Sequence, residues 1–323
     1  MKILVTGGAG FIGSHLSEML LDKGEHVDVI DDLSTGRYEN ITHLVGDKNF
    51  HFIVDTILNV STVERLVQEC EVIFHLAASV GVKRIVEKPV NTIETNVLGT
   101  HAVLSLAAKY NRKVILFSTS EVYGKNPKLP YRESDDCVFG STLKSRWSYG
   151  CTKALDEFLG LAYHKEQGLP IVIIRVFNVI GPRQTGYYGM VVPTFVRQAL
   201  RNMPITVYGN GQQSRCFAYV KDLVEALIEL VNKNEIIGQI FNIGSTEEIT
   251  IEELAKKIKK KTGSKSEIVF IPYGQAYEEG FEDMIKRKPD ISKITRLIGF
   301  GPRTRLDKAL DIIISHERKM DKG

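Results

Sequence analysis

Lys2-Ile3-Leu4-Val5-Thr6-Gly7-Gly8-Ala9-Gly10-Phe11-Ile12-Gly13 is an apolar run that breaks into glycines, and residues 14–23 behind it place Leu16, Met19 and Leu20 on one helical face. A strand that turns through glycines into a helix brings bare backbone close to a pyrophosphate and aims the helix N-terminus at its charge. Glycines by themselves need do no more than allow a tight turn. Their setting carries the reading: Gly24 ends the helix, residues 26–30 form a second strand, and that strand ends in Asp31-Asp32. A carboxylate there accepts hydrogen bonds from the adenosine ribose and repels a 2′-phosphate, which favours NAD over NADP.

Outward from this turn the alternation of strand and helix continues. Residues 50–54 read as a third strand ending in Asp55, which is either an adenine contact or an ordinary strand-end turn residue. Residues 64–70 are helical, and residues 72–76 form a buried strand opening into Ala77-Ala78-Ser79, small enough for a ligand or for close backbone packing. A long helix over 92–110 contains Asn96 and Gly99; an asparagine inside a helix is usually exposed or satisfied locally. The strand over 113–117 then delivers Ser118-Thr119-Ser120-Glu121-Val122-Tyr123-Gly124, hydroxyls and a carboxylate at the strand end where open α/β sheets bind ligands. Tyr149 and Lys153 follow on a helix over 148–164, one turn apart on one face, and make a candidate acid/base pair. The expected fold is α/β: a Rossmann-type doubly wound parallel sheet over 1–180, with the chain crossing back at about 220–245, and a smaller, discontinuous C-terminal α/β substrate-binding lobe over 181–323.

The bulk properties agree with an ordinary globular chain. At 323 residues it is long for one core, and its 43% hydrophobic and 25% charged content is unexceptional. A formal charge of +3 with scattered Lys and Arg argues against nucleic acid; the densest basic run, 256–261, lies on an amphipathic helical pattern and reads as a solvated face. Cys70, Cys137, Cys151 and Cys216 show no CxxC pairing, so neither a metal site nor a disulfide framework is expected. A strand at the very start leaves no room for a signal peptide, no apolar run is long enough to cross a membrane, and the expected location is cytoplasmic.

By these residues the chain resembles the extended short-chain dehydrogenase/reductase family, in its NAD-dependent nucleotide-sugar epimerase, dehydratase and decarboxylase branch. The glycine motif, Asp31-Asp32-Leu33-Ser34-Thr35-Gly36, His75-Leu76-Ala77-Ala78, Asn96-Val97-Leu98-Gly99-Thr100, the 118–124 motif, Tyr149 with Lys153, Phe177-Asn178, Gly181-Pro182-Arg183 and Arg215 before Phe217 carry the resemblance over essentially the whole chain. It implies NAD held by Gly7, Gly10, Phe11, Ile12, Gly13, Asp31, Asp32, Asp55, Ala77, Ala78 and Asn96, with Lys153 on the nicotinamide ribose. Tyr149 is then the base that takes a proton from a sugar hydroxyl, and Thr119 hydrogen-bonds the same hydroxyl. A phenol of pKa near 10 is a poor base at neutral pH, and the positive charge of Lys153 corrects that. Asn178, Val192, Tyr208, Arg215 and Arg287 would bind the nucleotide sugar, the guanidinium forks suiting diphosphate oxygens. The resemblance also implies a homodimer through helices 92–110 and 148–164.

Members of this branch share oxidation at C4 and part afterwards, and Ser120-Glu121 is where they part. An Asp at 120 would mark the common 4,6-dehydratases, and it is absent. Glu121, Arg146-Trp147 and Arg215-Cys216-Phe217 look like the aminoarabinose-pathway decarboxylases. Against decarboxylation stands the loop over 184–192, which offers Thr185, Tyr187, Tyr188 and Met190 but no cation for a uronate carboxylate, whose unpaired burial costs several kcal/mol; Arg84, after Lys83, could supply one from another loop. The sequence therefore leans to a UDP-hexose 4-epimerase, with UDP-glucuronate decarboxylase as the alternative. A binding protein that kept the fold without turnover would be expected to lose Tyr149 or Lys153, and both are present.

Overall fold

The computed structural model describes residues 1–81, 87–186, 189–276, 284 and 286–320. Its centre is a seven-stranded sheet in the order β11-β6-β5-β4-β1-β2-β3, parallel throughout. The strands are β1 (Lys2–Thr6), β2 (His26–Asp31), β3 (Phe50–Val54), β4 (Val72–His75), β5 (Lys113–Thr119), β6 (Ile171–Val176) and β11 (Gln239–Ile243). Near-continuous apolar strands are what a sheet covered on both faces requires. Alternate side chains serve opposite cores: Ile3, Val5, Ile115 and Phe117 pack with one, Leu4, Val114 and Leu116 with the other. On the second face lie α2 (Val60–Glu69), α3 (Pro89–Lys109) and α4 (Ser148–Gln167); on the first lie α1 (Phe11–Asp22) and, returning from beyond residue 180, α6 (Val220–Val231). α3 begins at Pro89, three residues ahead of the sequence expectation, because a proline at the first helical turn gives up no hydrogen bond.

Strand order reverses around β1, which has β4 on one side and β2 on the other, so a crevice opens beyond their carboxyl ends. The C-terminal part of the chain adds small sheets. β7 (Val179–Ile180) pairs with β10 (Ala218–Tyr219), β8 (Ile205–Tyr208) with β13 (Ile268–Ile271), and β9 (Ser214–Cys216) lies between β12 (Glu248–Thr250) and β14 (Lys286–Arg287). Helices α5 (Val191–Leu200), α7 (Ile251–Thr262), α8 (Ser292–Ile298) and α9 (Leu306–Met320) complete it. α7 is bounded by a Thr250/Glu253 capping box and left-handed Gly263, so its basic last turn sits where the helix dipole favours cations. Among the described residues no helix is long and apolar enough to cross a membrane.

Candidate active site

The glycine turn has no room for side chains. Gly7 takes φ +73°, and a Cβ on it would meet the Ala77 amide nitrogen at 2.9 Å; a Cβ on Gly13 would overlap the Gly7 carbonyl oxygen. Gly10 stands extended at the N-cap of α1, no side chain caps the helix, and its first turn holds no acid. The amides of Phe11 and Ile12 are thus left in an environment suited to an anion. These features fit the pyrophosphate of a dinucleotide.

Asp31 is buried and already braces the turn: its oxygens accept from Ala9 N–H at 3.0 Å and Leu33 N–H at 2.9 Å, while burial raises its pKa. A carboxylate has lone pairs left for ribose hydroxyls after two such bonds. Asp32 is exposed and accepts from Ser34 N–H at 2.9 Å. Asp55 accepts from Thr56 N–H, Asn59 and Thr62 at 2.7–2.8 Å, which fastens the entry to α2. Asn96 is buried too; it accepts from Ser79 N–H at 2.7 Å and donates to Thr152 at 3.2 Å, clasping the turn after β4 to α3 and α4. The sequence reading missed the thread beneath Ala77 and Ala78. Thr6 Oγ1 accepts from Ala77 N–H at 3.1 Å and shares a hydrogen bond of 2.8 Å with His75 Nδ1, whose Nε2 lies 3.1 Å from Thr100. Burial, then the charge of Lys153, pushes His75 down to about 3, so the ring is neutral.

At the other end of the crevice β5 runs into a 3₁₀ turn, Ser120–Tyr123, and Thr119 caps it by accepting from Glu121 N–H at 3.2 Å. Thr119, at the end of β5, and Tyr149, in the first turn of α4, are brought together here, and Thr119 acts to lower the Tyr149 pKa. Gly150 lets the first turn of α4 press against this turn, since a Cβ there would lie 2.8 Å from the Glu121 carbonyl oxygen. Burial, then the charges of Glu121 and Asp156, raise Tyr149 well above the usual phenol range. Lys153 is buried one turn on, and its ammonium donates to Asp156 Oδ2 at 2.8 Å. Behind them Arg175 forks onto Glu157 at 2.7–3.2 Å, and Ser118 donates to the same carboxylate.

Glu121 itself is held between Arg146 and Arg287, one ion pair to each carboxylate oxygen. Burial opposes its charge, but Arg287 and Arg146 outweigh that and take its pKa down to about 2. Arg146 comes from the 3₁₀ turn that leads into α4; Arg287 comes from β14, where it stands beside Arg215 in register. Arg146 and Arg287, from distant parts of the chain, therefore meet on one carboxylate. Asn178 donates to the Cys216 carbonyl at 3.4 Å, Val192 is buried at the start of α5, and Tyr208 ends β8 half exposed. Lys83, Arg84, Tyr187 and Tyr188 lie outside the described residues.

A glycine turn, a buried acid at the end of β2 and a threonine, tyrosine and lysine beyond β5 fit what comparison with known proteins shows, an NAD-dependent enzyme that modifies nucleotide sugars. The family model described as GDP-mannose 4,6 dehydratase matches residues 4–313, and the chain belongs to that family, within the extended short-chain dehydrogenases/reductases. It is 43% identical over 321 residues to a UDP-N-acetyl-α-D-glucosaminuronate decarboxylase of Bacillus cytotoxicus, covering 99% of this chain and 98% of the relative. Among solved structures, UDP-glucose 4-epimerase of Thermotoga maritima with UDP-glucose superposes with a TM-score of 0.89 at 33% identity, over 99% of both chains. UDP-glucuronic acid 4-epimerase of Bacillus cereus, in complex with UDP-glucuronic acid and NAD, gives 0.89 at 32% identity, over 99% of this chain and 100% of that one.

Proposed function

We propose that this protein decarboxylates a UDP-linked hexuronate, after oxidation of the sugar at C4. The observation that carries the reading is Glu121 seated between Arg146 and Arg287 beside Thr119 and Tyr149. The sequence leaned to a 4-epimerase because loop 184–192 holds no cation for a uronate. Arg146 and Arg287 share the single charge of Glu121, so one net positive charge is left at the redox end from elsewhere in the chain, and guanidinium forks match carboxylates. The 43% identity to a uronate decarboxylase supports the same choice.

When bound, NAD supplies the hydride acceptor for C4. Tyr149 takes the proton of the C4 hydroxyl while Thr119 hydrogen-bonds its oxygen. The resulting ketone makes the C5 carboxylate that of a β-keto acid, so the bond from C5 to the carboxyl carbon can break. Carbon dioxide leaves and the electron pair flows to the C4 oxygen, where the Tyr149 and Thr119 hydroxyls stabilise the enolate. Arg287 and Arg146 hold the departing carboxylate until then. Glu121, ionised far below neutral pH, is no proton donor for C5; it holds the two arginines in place.

The test is to incubate the protein with NAD and, separately, UDP-N-acetylglucosaminuronate, UDP-glucuronate, UDP-glucose and UDP-N-acetylglucosamine, following the anomeric protons by NMR and carbon dioxide release. Loss of C6 from a uronate is expected. The UDP-glucuronate 4-epimerase likeness favours a second reading, and a product that keeps its carboxylate and inverts C4 would replace the first with it.

A further inference from the structure

Lys153 has a carboxylate of its own. Asp156, one turn further along α4 and 1% exposed, accepts from the Lys153 ammonium at 2.8 Å through Oδ2, while its Oδ1 is buried with no hydrogen-bond partner among the described residues. The neighbouring Glu157 is not available for this purpose, because it is committed to Arg175 and Ser118. Two adjacent buried carboxylates therefore serve two different cations, and only Asp156 faces the acid/base pair. A buried ammonium already neutralised at 2.8 Å does little to favour a phenolate nearby, since a negative charge beside it cancels its field.

We propose that Asp156 is a positioning residue: by ion-pairing Lys153 in the cofactor-free protein it anchors the ammonium and cancels its field at the acid/base pair until the ammonium is drawn to the nicotinamide ribose. This rests on Tyr149 being the base of the reaction proposed above. The other charged groups facing the pair are Glu121 from the turn after β5, Arg146 from the turn before α4, Arg287 from β14 through Glu121, and neutral His75 from β4. Glu121 and Asp156 both disfavour the phenolate. Glu121 carries arginines on both oxygens, so Asp156 is the charge that can be removed without dismantling that cluster.

The test uses the full chain with Asp156→Asn and Asp156→Glu. Ultraviolet titration of the cofactor-free protein, with Tyr149→Phe subtracted, reads tyrosinate at position 149 directly. In Asp156→Asn tyrosinate should appear at a pH lower by about one unit, and the acid limb of kcat/KM should move down with it. Asp156→Glu, which keeps the charge, should stay within a few tenths of a unit of the parent. A titration and a limb unmoved in Asp156→Asn, with Tyr149→Phe inactive, overturn the proposal and leave the base assignment standing. Activity retained in Tyr149→Phe sinks the base assignment itself. A lowered melting temperature with an unmoved limb marks Asp156 as structural only. If Asp156→Asn does not fold, Asp156→Ser is smaller, equally uncharged and carries the same expectation.

Discussion

At the scale of single residues, the Arg146–Glu121–Arg287 cluster is the most consequential feature and its parts are not interchangeable. Removing one member of a buried charge cluster leaves the rest uncompensated, at a cost of about 3–5 kcal/mol. Glu121→Gln should therefore lower stability by roughly that amount in urea melts, and activity on a uronate should fall with it. Arg287→Lys keeps the charge but loses the fork. It is expected to raise KM for a UDP-uronate at least tenfold while folding normally, measured by steady-state kinetics; an unchanged KM would remove Arg287 from the substrate site. The sequence named Glu121 and Arg287 separately, one for the reaction and one for the diphosphate. It took Arg146 only as a mark of likeness. Nothing in linear spacing says that the three meet, because contacts between distant positions are set by the sheet.

At the scale of elements, the turn from β1 into α1 was legible residue by residue. Glycine tolerates both the positive φ and the close approach, and the strand–glycine–helix order left one reading. Gly13→Ala should press a methyl group into the Gly7 carbonyl and weaken NAD binding by an order of magnitude or more, read by titration of the cofactor. The outer faces of α3 and α4 were ambiguous between core and interface. In the fold they point away from the sheet, with Phe158 71% and Leu98 54% exposed beside Val90, Ile93 and Leu155. Aromatic and aliphatic groups this exposed on two adjacent helices suit a second copy of the chain, and we propose a homodimer through them. Phe158→Glu with Leu98→Lys should convert it to a monomer in light scattering; an unchanged mass ends that assignment.

At the scale of the whole molecule, buried titratable groups set the response to acid. His75 and His15 are pushed down to about 3 and 4, chiefly by burial, from an ordinary 6.5. Between pH 6.5 and those values the unfolded chain binds protons that the folded chain refuses, so stability falls as pH falls. By pH 5 each histidine costs about 2 kcal/mol. Glu121 acts later: its contribution is complete above its ordinary 4.5 and is lost only as pH drops toward 2. Asp31 and Asp156, raised by burial, offset part of the loss. Melting temperature should fall between pH 7 and pH 5, and a His75→Asn variant should show a shallower fall; an equal slope would remove His75 from the balance. The sequence by itself determined the doubly wound sheet, the glycine turn from β1 into α1 and the placement of Tyr149 and Lys153 one turn apart on α4, because each is written within one or two elements by periodicity, glycine and helical spacing. Tertiary structure alone decided that Asn96 clasps loops, that Asp156 holds Lys153, and that Arg146 and Arg287 converge on Glu121. Those depend on which strand ends and lobe sheets meet, and the packing of distant residues, unlike the turn that follows a strand, has no local signature.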